Sequence, residues 1–283
     1  MANSYLNIVT FLLTTLFYYL ALKPSLTYET FIDMSKMKEY TSSNYMYLAI
    51  YLLLVMVIQF MVNASIISSN CGGSITENMG AAGVFTFLPW TLIFGVLVLV
   101  LTVYPGFKSA FSDVIGYFYV SSSANKLLTE LLIDKDIQNK LDSNIEMSEE
   151  QKKAMQSAAD TIIKICGNTS ILINQIVPNN FNDYWNILKP LRKKQYQEDN
   201  PETLEKKKEL FELVVTRDNV GETMWFIYTG LLLTSIVQLK ITTRGCSSNP
   251  KTMEQNYQKF LSDEAAAKAA QQKATDTTYT ITN

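Results

Sequence analysis

Histidine is absent from all 283 residues. Without an imidazole there is no His general base, no Ser-His or Cys-His nucleophile system and no imidazole metal ligand. Cysteine is scarce. Cys71, Cys166 and Cys246 lie far apart with no C-x-x-C, so neither a disulfide framework nor a zinc site is expected. Only 18% of residues are charged, against about a quarter in an ordinary soluble protein. The 24 Lys+Arg and 26 Asp+Glu nearly cancel. That is not the basic balance of a nucleic-acid binder, so no direct nucleic-acid contact is expected. No Gly-rich phosphate loop is present, and no pair of carboxylates lies inside a long apolar run. This argues against a nucleotide site, a proton relay or an ion-coupled carrier. The expectation is therefore no enzyme: no catalytic residue, cofactor, metal or small-molecule substrate.

What the chain does have is apolar residues, 48% of the total, gathered into runs. Tyr5 to Leu22 carries no charge. Eighteen helical residues rise about 27 Å, close to the roughly 30 Å hydrocarbon core of a bilayer. A signal peptide is disfavoured because Met1 to Ser4 has no Lys or Arg and Leu22-Lys23-Pro24 is a poor cleavage site. Tyr45 to Ile67 is a second run. Its polar residues Gln59 and Asn63 are expected to face a neighbouring helix and hydrogen-bond there. A third runs from about Gly83 to Tyr104. Pro89 should kink it, Trp90 and Tyr104 are placed like aromatic-belt anchors, and Pro105-Gly106 should end it. Thr223 to Leu239 is a weaker fourth run, in which Gly230 and Thr234 form a small-x-x-x-small pair suited to close helix contact.

Residues 105–222 hold 15 of the Lys+Arg and 18 of the Asp+Glu. Leu127, Leu128, Leu131, Leu132, Ile137 and Leu141 recur at helical spacing. Ser148 with Gln151 forms a capping-box pattern, Met155, Ala159, Ile162, Ile163 and Cys166 share a face, and Gly167 is a stop. Asn200-Pro201-Glu202 reads as a helix start. Lys206-Lys207-Lys208 sits among Glu202, Glu205, Glu209 and Glu212 and reads as a salt-bridged face. Leu191-Arg192-Lys193-Lys194 could meet lipid head groups or an acidic partner. Residues 107–120 are different. Phe107, Phe111, Tyr117, Phe118 and Tyr119 cluster directly after a membrane exit, so this segment is expected to lie in the interface. The tail beyond Arg244 could start a helix at Asn249-Pro250 carrying Met253, Tyr257, Phe260 and Leu261, and it ends in a β-permissive TDTTYTITN.

The sequence thus predicts an all-α, multi-span helical membrane protein with three to four transmembrane helices, an extramembrane helical domain and an extended C-terminal tail. The expected divisions are 1–120, transmembrane helices with the interfacial segment; 121–222, the helical domain; 223–243, a fourth span; and 244–283, the tail. Lys and Arg in 23–44 and 105–222 favour a cytosolic place for both, although six positive charges from Lys240 onward oppose this. The sequons at Asn63 and Asn168 are weak matches, the first inside a span.

One series carries a resemblance. It comprises Cys71-Gly72-Gly73-Ser74, Asn78, Thr86-Phe87-Leu88-Pro89-Trp90, Ile93-Phe94-Gly95, Tyr104-Pro105-Gly106-Phe107-Lys108-Ser109-Ala110-Phe111-Ser112-Asp113 and Gly116-Tyr117. Over roughly residues 59–120 it resembles a transmembrane protein family of nucleocytoplasmic large DNA viruses. That family's pattern has a Cys-Gly-Gly turn, a Pro-Trp helix, Pro-Gly-Trp, Pro-Phe-Ser-Asn and Gly-Tyr. Here Phe107 replaces Trp, Ala110 replaces Pro and Asp113 replaces Asn. The resemblance implies a minor capsid protein of the virion inner membrane, present in host membranes during capsid assembly. Its implied partners are lipids and major or other minor capsid proteins. The competing expectation is a small channel or carrier, or an entry-fusion component.

Overall fold

The computed structural model describes residues 5–71, 74–132, 169–243 and 250–276. The named elements among them are all helical, with one isolated bridge between Leu132 and Arg192. The chain is an all-α membrane protein. Helix α1 (Leu6–Leu22) is apolar and finishes in a π-helical turn, Tyr18–Leu22. A short α2 (Tyr28–Ile32) leads into α3 (Met34–Cys71). Helix α4 (Ile75–Val103) begins at a capping box between Ser74 and Glu77, which satisfies orphan amides at the helix start. Pro89 lies inside it, and the next turn, Trp90–Gly95, is π-helical. A proline has no N–H for the i−4 bond, so the ladder shifts register there. After Tyr104 comes an elbow made of a 3₁₀ turn (Pro105–Lys108), a single α-turn (Ser109–Phe111) and a π turn (Ser112–Gly116). It continues into α5 (Tyr117–Leu131). Then come α6 (Phe181–Ile187), α7 (Pro201–Thr243) and α8 (Pro250–Asp276).

Helices α3, α4 and α7 are each long and apolar enough to cross a membrane. The shorter α1 packs against them. Asn7 near its start bonds Asn63 of α3 and Gln238 of α7, while Lys23 just past its end meets Glu222 of α7. Glu222 and Gln238 are sixteen residues apart, about 24 Å of helix, so α1 traverses the same layer as its neighbours. Helices α1 and α4 therefore run opposite to α3 and α7. Phe11, Tyr18, Tyr51, Trp90, Phe94 and Phe226 interlock in the centre of this bundle. Outside it, Leu13, Leu20, Leu53, Met61, Leu92, Leu99 and Leu239 are exposed. Water would disfavour such a girdle, whereas lipid tails accept it. The full chain is expected to stay in the pellet after alkaline carbonate extraction and to dissolve in detergent; release by carbonate alone would refute membrane spanning.

A second core lies to one side of the bundle. Val120, Ala124, Leu127, Leu128 and Leu131 of α5 pack against Ile173, Ile176, Phe181, Trp185, Leu191, Leu210, Phe211 and Val214. Two features cross the divisions expected from the sequence. Tyr28 is buried in this core and Phe31 packs against it, so the helical domain recruits residues from before α3. Helix α7 also runs unbroken for 43 residues through the expected boundary at 222/223, so domain and span share one rigid rod. It starts at Pro201 as the sequence indicated, and Asn200 caps it by accepting from the Thr203 N–H at 2.8 Å. In place of a helix from Ala124 through Leu141, α5 ends at Leu131. The patterns expected at Ile137, Leu141, Ser148, Gln151, Met155, Ala159, Ile162, Ile163, Cys166, Gly167 and Asn168 fall outside the described residues, as do Gly72, Gly73 and the terminal 277–283.

Cysteine gives a further correction, because Cys71, the last residue of α3, is disulfide-bonded. Three widely spaced cysteines gave no sign of this, since spacing along a chain does not report distance across a bundle.

Candidate functional site at the neck of the molecule

The two cores meet at a neck formed by the end of α1, the outer part of α3, the elbow and the middle of α7. Backbones touch here. A Cβ added at Gly221 would lie 2.6 Å from the Ser112 Cβ and 2.8 Å from its nitrogen, and one added at Gly116 would meet the Arg217 backbone. Only glycine lets the elbow sit directly on α7. Further into the bundle, Gly230 accepts the ring of Phe11 in the same way, realising the close contact expected at that residue.

That approach traps charge. Glu222 accepts from Lys23 and, at 2.7 Å, from Lys108, while Lys108 also reaches Asp218 at 3.2 Å. The Tyr19 hydroxyl donates to Glu222 at 3.1 Å. These four charged side chains are only 8–16% exposed. Burial alone would raise the Glu222 carboxyl, but the Lys23 and Lys108 ammonium groups outweigh it and hold the carboxyl at about 2. Burial would likewise depress Lys108, yet Glu222 and Asp218 leave it well above the usual lysine range. Beside the cluster is a cavity of about 330 Å³, bounded among others by Tyr40, Asn44, Leu48, Leu101 and Asn219. Arg217, fully buried, donates to the Ile173 carbonyl and faces Asp113 of the elbow at 3.6 Å.

The residues picked out from sequence separate into two groups. Trp90 is fully buried between Phe11 and Phe94, so it is a bundle core residue and not a belt anchor. The indole sits on the inward face of α4, an orientation that apolar runs alone do not reveal. Phe111 packs edge-on against Trp225 and also meets Tyr228, and the Trp225 indole donates to the Phe107 carbonyl at 2.9 Å. Tyr117 packs against the helical-domain core. Pro105 and Gly106 form the exposed start of the elbow. The outward-facing members are Tyr104, Phe107, Phe118 and Tyr119, the last two 74% and 72% exposed. Residues 107–120 thus lie against α7 along one side and present aromatics on the other.

Gln59 and Asn63 pair with neighbouring helices. The Gln59 amide donates to the Asn7 carbonyl at 3.0 Å, and the Asn63 amide donates to the Thr86 hydroxyl at 2.8 Å. The basic runs are also tied down. Arg192 stacks over Trp185, Lys206 bridges to Glu130, Lys207 lies over the Tyr28 ring and Lys208 pairs with Glu29. Among the described residues, no group of three or more His, Cys, Asp or Glu could hold a metal ion. The neck residues Lys23, Lys108, Asp218 and Glu222 were not distinguishable as a cluster in the sequence. Lys23 is 199 positions from Glu222, and only the fold brings them together.

No protein-family model, no curated protein and no solved structure matches this chain.

Proposed function

We propose that the protein is a structural membrane anchor that holds its helical domain at a fixed height and angle above the bilayer for contact with a protein shell. The observation that carries this reading is the single helix α7, common to the bundle and the domain and locked to the elbow at the neck. A hinge would suit a carrier or a fusion device, whereas a continuous rod braced by buried ion pairs suits a tether. In its specific form, the reading is a minor capsid protein that joins a viral inner membrane to an icosahedral capsid. The exposed aromatics Phe118 and Tyr119 are its partner-facing residues, since Tyr and Phe are enriched where protein surfaces meet. The bundle's polar side chains, spent on bonds between helices, favour this over the channel reading.

The test replaces Phe118 and Tyr119 together by Ser. Both are exposed, so insertion and folding should be retained. Cross-linking of intact particles should then lose the adduct between α5 and a shell protein, and assembly should fall. Unchanged assembly and cross-linking in the double variant would overturn the proposal.

A further inference from the structure

We infer that the end of the bundle opposite the neck faces an oxidising compartment, so that the neck and the helical domain face a reducing one. Two independent observations carry this. The first is the disulfide at Cys71. Cys71 closes α3 eight residues beyond Asn63, about 12 Å along the helix, and Asn63 shares the Asn7 side chain with Gln238 of α7. Cys71, the start of α1 and the end of α7 at Thr243 therefore lie at one end. The neck and the second core lie at the other, some 24 Å or more away across the apolar layer. A protein disulfide persists where the surroundings are oxidising and is reduced by cytosolic thiols elsewhere. Its formation removes two protons and two electrons from two cysteine thiols. The acceptor is the disulfide of a thiol–disulfide oxidoreductase, which leaves as the dithiol.

The second observation is charge. Within about 20 residues of a span end the neck side carries Lys23, Lys36, Lys38, Lys108, Lys206, Lys207, Lys208 and Arg217, and the positive-inside tendency places such segments in the cytosol. The positive charges from Lys240 onward opposed that orientation in the sequence alone. They weigh less here, because the same count past the last span gives only Lys240, Arg244, Lys251 and Lys259, half as many. The partner of the helical domain is thus met on the reducing side. This rests on the multi-span reading, which carbonate extraction tests separately, and does not depend on the partner being a capsid.

The experiment uses the full chain inserted into sealed endoplasmic-reticulum microsomes. Asp276→Asn writes an Asn-Thr-Thr glycan acceptor at the last residue of α8, while the natural acceptor Asn168 lies in the segment assigned to the other side. The expected result is one added glycan in D276N that is absent from the unmodified chain. Cys71 should be alkylated only after reduction. The peptide joined to it should come from the tail, because Thr243 and Cys71 end parallel helices at one end of the bundle. A glycan at Asn168, alkylation of Cys71 without reduction, or a joined peptide carrying Cys166 would each overturn the assignment.

Discussion

Replacing Glu222 with Ala is expected to destabilise the detergent-solubilised protein by about 3–5 kcal/mol, because two ammonium groups would then share a buried neck with Asp218 alone. The loss arises less from the missing attraction than from stranding Lys23 in a low-dielectric site. Pairing Glu222→Gln with Lys23→Met should therefore recover a large part of it, since Lys108 keeps Asp218 at 3.2 Å. Thermal unfolding followed by circular dichroism reads both outcomes. A Glu222→Ala protein melting within a degree or two of the parent would refute the role given to the cluster. The same carboxyl predicts an acid dependence. Its folded value near 2 lies below the ordinary value of about 4.3. Its contribution is therefore fully present above that ordinary value and is lost as pH falls towards 2. The parent should lose stability over that window more steeply than Glu222→Gln.

Gly221→Ala is expected to do comparable damage with a single methyl group. The added Cβ would lie 2.8 Å from the Ser112 nitrogen and 2.9 Å from its Cα. Backbone atoms cannot rotate out of the way, so the elbow must lift from α7. Overpacking of a tight contact costs about 1–3 kcal/mol. Here the displacement would also pull Lys108 from Glu222 and Asp113 from Arg217, so the effect should lie at or above the top of that range. Gly80 provides the contrast. Nothing lies within 4 Å of a Cβ placed there. Gly80→Ala in the same helical setting should be neutral or stabilising by roughly 0.5–1 kcal/mol, as alanine orders at a smaller entropic cost. Limited proteolysis of the neck is the direct measurement: Gly221→Ala should be cut within the elbow and Gly80→Ala should not. Equal resistance in the two variants would remove the close-contact argument.

Much of the architecture follows from local rules that are legible along the chain. Long uncharged runs predict helices in lipid wherever they occur. Hence α3, α4 and α7 are legible, as are the helix start at Asn200-Pro201 and the small-residue contact at Gly230. Helical periodicity likewise marked Leu127, Leu128 and Leu131 as core. Relations between distant positions emerge only on folding. Trp90 has an aromatic-belt composition around it, yet its helical face turns inward onto Phe11. Tyr28 lies outside every apolar run, yet it completes the second core beside Phe211. Lys23, Lys108 and Glu222 each read as an isolated charge at the end of a span. Their pairing follows from a glycine contact between Gly221 and Ser112 that no local pattern encodes. Hydropathy and periodicity fix which segments are helical and which enter lipid, because both depend on neighbours within a few residues. The rotation of each helix about its axis, and the meeting of charges about two hundred positions apart, depend on packing free energy shared across the whole bundle.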